Sequence, residues 1–237
     1  MALHIGLIGG IGPAATDFYY RRLIAASAGK EPGLELTMAH ADTPTLLRHL
    51  GDADAAGQVE IYLRLTNRLK AAGAELVVVT SIAGHFCIRE FEPVSPLPVV
   101  NLVQAVGREV EARGLARLGI LGTRTAMESH FYGAIPAAEI IPPRGQDLDD
   151  VHAAYVAMAS AGVVTAEQRD VFERASGRLM REEGAEAILL GGTDLALAFD
   201  EGNTGFPVID CVRIHVDAIV RIAGVGPGSK YREVDPS

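Results

Sequence analysis

The residues with the clearest potential for proton transfer follow an apolar run at residues 75–79. Ser81 comes two residues after this run, and His85 stands four residues further along the chain. A serine hydroxyl is only weakly acidic, so it takes part in catalysis when an adjacent base activates it. His85 is therefore a candidate base for Ser81, although an imidazole at this spacing can also pack beneath the turn as a structural side chain.

A second apolar run, at residues 184–190, is followed by Gly192, Thr193 and Asp194. Gly192 is the counterpart of Ser81, because each lies eight residues after the glycine of a Gly-Ala-Glu sequence. The hydroxyl of Thr193 and the carboxylate of Asp194 are candidates for proton transfer at this position. A carboxylate just beyond a strand can equally cap the N-terminus of a helix, and both interpretations of Asp194 stay open.

A glycine-rich turn, Gly-Gly-Ile-Gly-Pro at residues 9–13, lies between a predicted strand and a predicted helix. Glycines at Gly10 and Gly12, on either side of Ile11, let backbone N–H groups approach an anion at a helix N-terminus. The dinucleotide pattern G-x-G-x-x-G is absent, and Pro13 removes one donor. The turn therefore favours a small carboxylate or phosphate over a dinucleotide, unless its glycines serve only close packing.

Two arginines are placed where they could bind an anion. Arg124 follows Thr123 in the turn that corresponds to the glycine-rich turn in the second half of the chain. Arg48 follows a loop that contains Thr43, and its guanidinium could hold a carboxylate with two hydrogen bonds. Composition alone is as consistent with two solvated surface arginines.

Short apolar runs alternate with helical patterns along the whole chain, and the runs lack the in–out alternation of half-exposed strands. This pattern is typical of parallel sheets covered by helices on both faces, so the fold class is α/β. Residues 118–122 echo residues 5–9, and residues 184–190 echo residues 73–79. The repeat predicts two pseudo-symmetric domains with a ligand cleft between them, at the carboxyl ends of the strands. The predicted domains are residues 1–100 plus 210–237, and residues 101–209.

Composition excludes several classes of protein. The 237 residues include 21 Lys and Arg against 30 Asp and Glu, a net charge of −9 that disfavours nucleic acid and anionic membranes as partners. No apolar run approaches the ~20 residues of a membrane span. Two cysteines are too few for a disulfide framework, and the first residues do not resemble a secretory signal, so a cytoplasmic location is expected. The seven histidines show no metal-ligand spacing, and no metal is predicted.

Seven segments, in order and covering nearly the whole chain, resemble the aspartate/glutamate racemase superfamily, whose members need no pyridoxal phosphate. They are IGLIGGIGPAATDFYYRRL, TPTLLRHL, VVVTSIAGHF, LPVVNLVQAV, LGILGTRTAMESHFY, AILLGGTDLAL and FPVIDCVRIHVDAIV. The resemblance implies two pseudo-symmetric α/β domains, no cofactor, a homodimer, and a small amino-acid-like carboxylate as substrate in the cleft. It also implies that backbone amides of the turns, and an arginine at the place of Arg48, bind the substrate. The corresponding residues are Gly10, Ile11, Gly12, Thr43, Arg48, Thr80, Ile82, Ala83, Thr123 and Gly192.

The resemblance also exposes two departures. The two-base chemistry of the superfamily uses one cysteine after each of two strands, and the two thiols act on opposite faces of the substrate. Those positions hold Ser81 and Gly192 here. Of the Asn-Thr-Ala-His sequence that usually follows the first cysteine, only His85 matches. Thr193 matches after the second position, and Asp194 stands where a glutamate is frequent.

The leading hypothesis is therefore a racemase-like isomerase that moves a proton with a non-standard set of side chains. The candidates for that set are Ser81, His85, Thr193 and Asp194. One alternative is a decarboxylase or other lyase, because such a reaction handles a proton on one face only. A second alternative is a catalytically inactive protein that binds a carboxylate. Cys87 and Cys211 are predicted to be packed in the interior rather than reactive.

Overall fold

The computed structural model describes residues 3–29, 33–199, 202 and 204–223, and this part of the chain contains two separate parallel sheets. The strands are β1 (Leu3–Gly9), β2 (Leu34–His40), β3 (Leu76–Val79), β4 (Arg117–Gly122), β5 (Glu139–Ile141), β6 (Ala187–Gly191) and β7 (Val208–Ile209). The helices are α1 (Pro13–Ser27), α2 (Thr43–Gly51), α3 (Ala55–Ala71), α4 (Ile88–Phe91), α5 (Leu102–Ala112), α6 (Arg124–Glu128), α7 (Gln146–Ala161), α8 (Ala166–Glu183) and α9 (Cys211–Ile222). Short 3₁₀ turns follow β3 and β6, at Ala83–Cys87 and Thr193–Leu197. The predicted α/β class is confirmed.

The first sheet has the strand order β2-β1-β3, with every pair parallel. All four residues of β3 are buried, as expected for a strand covered on both faces. The strand predicted at residues 97–100 is reduced to one bridge between Val77 and Val99. Pro98 explains the difference, because it accepts a hydrogen bond through its carbonyl from Val77 but has no N–H to extend the ladder.

The second sheet has the order β5-β4-β6-β7 and is also parallel. β4 holds the central place that β1 holds in the first sheet, and β6 corresponds to β3. The two halves thus share one arrangement of strands, in agreement with the sequence repeat. In each half the turns after the first and third strands lie at the carboxyl edge of the sheet, where ligand sites of parallel sheets form.

The last helix, α9, packs against α1 and α5. His215 of α9 donates from Nε2 to the carbonyl of Val100 at 2.8 Å, and its Nδ1 accepts a hydrogen bond of 2.7 Å from the Tyr19 hydroxyl of α1. Burial, with a smaller contribution from the nearby His85, lowers the pKa of His215 to about 3. The ring is therefore a neutral part of the core. The predicted domain boundaries stay a prediction.

None of the helices in the described part of the chain is both long and apolar enough to cross a membrane. The same part of the chain contains no group of three His, Cys, Asp or Glu residues that could hold a metal ion.

Candidate active site

A cleft of about 250 Å³ lies where the carboxyl edges of the two sheets meet. Four of the turns that follow strands contribute to it, and helices α2 and α7 supply the remaining wall. Its lining residues are Ile11, Gly12, Thr43, Leu47, Leu50, Ala83, Thr123, Tyr155, Val156, Ala159, Ser160 and Asp194. The wall is largely apolar, and its titratable groups are the Asp194 carboxyl and the Tyr155 phenol.

The glycine-rich turn enters the cleft at Ile11 and Gly12. Gly12 has a left-handed backbone (φ 71°) and begins α1 without a side-chain cap. The carbonyl of Gly10, which has φ 153°, accepts a hydrogen bond of 2.5 Å from the Thr43 hydroxyl at the start of α2. This hydrogen bond connects the turn to α2. Because the Thr43 hydroxyl donates its proton here, it cannot donate the same proton to a ligand.

Asp194 belongs to the second half of the molecule, and its carboxyl group lies against the start of α1 in the first half. A β-carbon added to Gly12 would lie 2.7 Å from Oδ2 of Asp194, and the amide of Ala15 lies close enough to lower the pKa of that carboxyl. The Tyr155 hydroxyl donates a hydrogen bond of 3.0 Å to Oδ2, whereas Oδ1 is buried without a hydrogen-bond partner. Burial outweighs the hydrogen bond from Tyr155 and raises the pKa of Asp194 above its ordinary value. The raised pKa makes Asp194 a stronger base than an exposed carboxylate.

The ring of Tyr155 fills the space beside Gly192. A β-carbon at position 192 would lie 2.2 Å from Cε2 and 2.5 Å from Cζ of Tyr155. Gly192 itself is buried behind this ring and does not line the cleft. Tyr155 therefore presents its phenol to the cleft at the end of β6, where residue 192 has no side chain to offer.

Ser81 and His85 form hydrogen bonds that stabilise the turn after β3. The Ser81 hydroxyl oxygen accepts a hydrogen bond of 3.3 Å from the Gly84 amide. His85 donates from Nδ1 to the carbonyl of Ser81 at 2.6 Å, and its Nε2 accepts from the amide of Leu102 at 3.4 Å. Burial lowers the pKa of His85 to about 4. Its neutral ring thus has both nitrogens engaged with backbone groups, and neither contacts the Ser81 hydroxyl.

Thr80 and Ile82, also predicted to bind substrate, are fully buried. The Thr80 hydroxyl donates to the carbonyl of Ile8 at 3.1 Å and lies 2.8 Å from the hydroxyl of Thr16. Of the turn after β3, the cleft receives Ala83. The part of this turn that a ligand can contact is therefore the backbone and methyl group of Ala83, and neither of these is an acid or a base.

Arg48 and Arg124 both lie outside the cleft lining. Arg48 is exposed on α2, and its neighbour Leu47 lines the cleft in its place. Arg124 forms ion pairs with Asp149 and with Glu128, the latter at 3.1 Å. No lysine, arginine or histidine is among the described residues that line the cleft.

The two cysteines are buried in the interior, as predicted from the sequence. Burial raises the pKa of the Cys87 thiol to about 12, and it raises the pKa of Cys211 well above the ordinary value. Neither thiol lines the cleft. Both side chains are therefore packing residues in this structure.

The sequence profile of the family described as Asp/Glu/Hydantoin racemase matches residues 8–219. The chain belongs to this family. Among solved structures, a proposed Asp/Glu racemase from Yersinia pestis is similar at 25% identity and a TM-score of 0.80, with 93% of this chain and 99% of that chain covered. An aspartate racemase homologue from Pyrococcus horikoshii shares 24% identity at a TM-score of 0.79, over 94% of this chain and all of the other.

The aspartate racemase of Picrophilus torridus is a third similar structure of the Asp/Glu/Hydantoin racemase family fold, at 18% identity and a TM-score of 0.74 over 94% of each chain. These likenesses confirm the fold expected for a racemase of this family. They agree with the resemblance to racemases that the sequence motifs indicate. Membership of the family supports a racemase-like function.

The cleft brings together six of the residues predicted from the sequence. They are Ile11, Gly12, Thr43, Ala83, Thr123 and Asp194. Gly10, Arg48, Thr80, Ile82 and Gly192, together with Ser81, His85 and Thr193, lie outside its lining. Sequence reasoning missed the α2 and α7 residues Leu47, Leu50, Tyr155, Val156, Ala159 and Ser160. The spacing of Tyr155, Val156 and Ala159 on one helix is a weak signal, because it also fits a core-facing helix.

Proposed function

We propose that this member of the racemase family transfers a proton on one face of a small, largely apolar carboxylic acid, without a cofactor. Asp194 is the base, and Tyr155 holds its Oδ2. The observation that carries the proposal is the asymmetry of the cleft. The wall from the second half holds the Asp194–Tyr155 pair, and the wall from the first half holds Ile11, Gly12 and Ala83, which have no ionisable side chain.

Racemisation by two bases needs one proton-transfer group on each face of the substrate carbon. The group that would serve the first face in this family is a cysteine at the place of Ser81, and the Ser81 hydroxyl accepts a hydrogen bond from Gly84 outside the cleft lining. Removal of the α-proton by the Asp194 carboxylate and return of a proton from the resulting carboxylic acid to the same face need one base only. The geometry therefore favours the one-base alternative over two-base racemisation.

Three features support Asp194 as the base. Its carboxyl lines the cleft, its pKa is raised by burial, and Oδ1 is free of the hydrogen bonds that would stabilise the charged form. A desolvated carboxylate is a stronger base than an exposed one. The hydroxyls of Thr123 and Ser160, which also line the cleft, are placed to orient the carboxylate of the substrate.

The experiment is deuterium exchange of α-protons, followed by NMR in D₂O on both enantiomers of a panel of small 2-substituted acids. We expect exchange with retention of configuration in the wild-type protein. Asp194→Asn should lose about 10²–10⁴-fold in rate, the usual contribution of a general base. Ser81→Ala, the matched change on the opposite side, should retain the rate.

Inversion of configuration during exchange, or loss of exchange in Ser81→Ala, would refute the one-base assignment. Binding of an acid with no exchange of any α-proton would favour the inactive carboxylate-binding protein instead. The homodimer and the cytoplasmic location stay predictions from the sequence.

A further inference from the structure

Two helices begin at the cleft, and a carboxyl group of the protein itself lies at the N-terminus of each. At the start of α1, which has 15 residues, Asp194 lies against Gly12 and the amide of Ala15. At the start of α2, which has nine residues, the Asp42 side chain accepts from the backbone amide of Thr45 at 3.0 Å and from its hydroxyl at 2.6 Å. Helix N-termini attract anions, and here a carboxyl group of the protein already lies beside each of the two.

No cation accompanies Asp194 in the described lining of the cleft. Arg48 is exposed outside the lining, and Arg124 is paired with Asp149 and Glu128. A ligand carboxylate at the glycine-rich turn would therefore meet the charge of Asp194 without a neutralising partner. Repulsion between like charges is strong where water is excluded.

Oδ1 of Asp194 is also a buried acceptor that lacks a donor. It is 3% exposed, it lines the cleft, and its Oδ1 has no hydrogen-bond partner. A buried polar atom without a partner is costly, so a ligand that brings an N–H or O–H donor to Oδ1 gains free energy that a ligand carboxylate cannot. The unpartnered Oδ1 and the lack of a cation in the described lining therefore both favour a ligand group that donates a hydrogen bond over a carboxylate.

The cleft, apart from Asp194, is walled mainly by apolar side chains. Its volume is about 250 Å³, and the rest of its wall includes the aliphatic side chains of Leu47, Leu50, Val156 and Ala159. A charged group against these side chains would lose its water without gaining a partner. The polar end of the cleft at Asp194 is then the place left for a second polar group.

We infer that Asp194 makes the cleft selective against dicarboxylates, and that its ligand is a small monocarboxylate whose other polar group donates a hydrogen bond. The inference rests on the proposed function for the location of the substrate. It adds the specificity of the site, which follows from charge and hydrogen bonding rather than from the proton-transfer step.

Succinate and succinamate test this inference, because they have nearly the same shape and differ by a carboxylate against an amide. Isothermal titration of the full chain at pH 7 should show succinamate binding at least tenfold more tightly than succinate. In Asp194→Asn the preference should disappear, because the charge is gone. Asp170→Asn removes a charge from an exposed position on α8 and should retain the preference.

Equal binding of the two acids by the wild-type protein would overturn the inference, and so would failure of both to bind. An unchanged preference in Asp194→Asn would overturn it as well. If Asp194→Asn does not fold, the wild-type comparison decides. Selective binding without any proton exchange would refute the proposed function alone, whereas exchange accompanied by equal binding of the two probes would refute the specificity alone.

Discussion

The ring of Tyr155 occupies the space into which a side chain on residue 192 would project. A β-carbon on Gly192 would lie 2.2 Å from Cε2 of that ring, a separation that real β-carbons do not adopt. Tyr155 in this position and a side chain at residue 192 are therefore mutually exclusive. The close approach of α7 to the end of β6 depends on the glycine, and it places the phenol against Asp194.

Gly192→Ala should lower the free energy of unfolding by about 1–3 kcal/mol, the usual cost of forcing extra volume into a packed interior. Urea denaturation measures this change. Gly205→Ala is the matched control, because a β-carbon there meets no atom within 4 Å. In a double variant with Tyr155→Ala, the loss of free energy of unfolding caused by Gly192→Ala should be smaller, because the ring that its β-carbon contacts has been removed. Strictly additive costs in the double variant would contradict this account.

Tyr155→Phe should shift the pH dependence of proton exchange to higher pH. The hydrogen bond from Tyr155 lowers the pKa of Asp194, so its removal raises that pKa further. Because the base acts in its ionised form, the rising limb of the exchange rate follows the pKa upward. Exchange rates between pH 4 and 8 measure the shift. An unmoved limb with a lower plateau would show that the phenol acts in another way.

The stability of the fold should fall as the pH drops below about 6.5. Burial lowers the pKa of His85 to about 4 and of His215 to about 3, so both stay neutral in the folded state while the unfolded chain binds protons. Their stabilising contribution is complete above pH 6.5 and is lost as the pH falls toward the folded pKa. At pH 5 the loss is about 2 kcal/mol for each histidine.

Urea denaturation at pH 7 and pH 5 measures this loss. His215→Gln should reduce the difference between the two pH values, because one of the two titrating groups is removed. A pH difference that His215→Gln leaves unchanged would refute the buried, neutral state of this ring.

Cys87 and Cys211 should react slowly with a thiol reagent such as DTNB in the native protein, and rapidly in urea. Burial both blocks access and raises the pKa of each thiol, to about 12 for Cys87, so little thiolate forms at pH 8. Cys87→Ala should leave proton exchange unchanged. Rapid native labelling that also stops exchange would mean that a cysteine serves the reaction.

The fold was predictable because its signals are local. Uninterrupted apolar runs such as residues 75–79 predict buried parallel strands, and the repeated Gly-Ala-Glu sequence predicts the second half from the first. The strand predicted at residues 97–100 was an overestimate, since the apolar pattern does not register that Pro98 lacks an N–H. Hydrophobicity determines whether a segment is buried. The length of the strand depends on whether each backbone N–H is present to donate a hydrogen bond to the neighbouring strand.

The site was predictable only in part, because counting from strand ends finds the turns and misses the helices that face them. The turn residues Gly12 and Asp194 line the cleft as predicted. On α2 a step of one residue turns the side chain by about 100°, so Leu47 lines the cleft and Arg48 lies outside its lining. Tyr155 lies 39 residues from its partner Asp194, and no local pattern signals that contact.

The position of α9 determines when the protein can finish folding during its synthesis. Tyr19 of α1 has its hydroxyl bound to His215, and the carbonyl of Val100 is bound to the same ring. Residue 215 leaves the ribosome almost 200 residues after Tyr19, so the first half emerges with one face of its core uncovered. The first half therefore completes its packing only once α9 has been translated. A nascent chain stalled before α9 would expose apolar surface to chaperones and proteases.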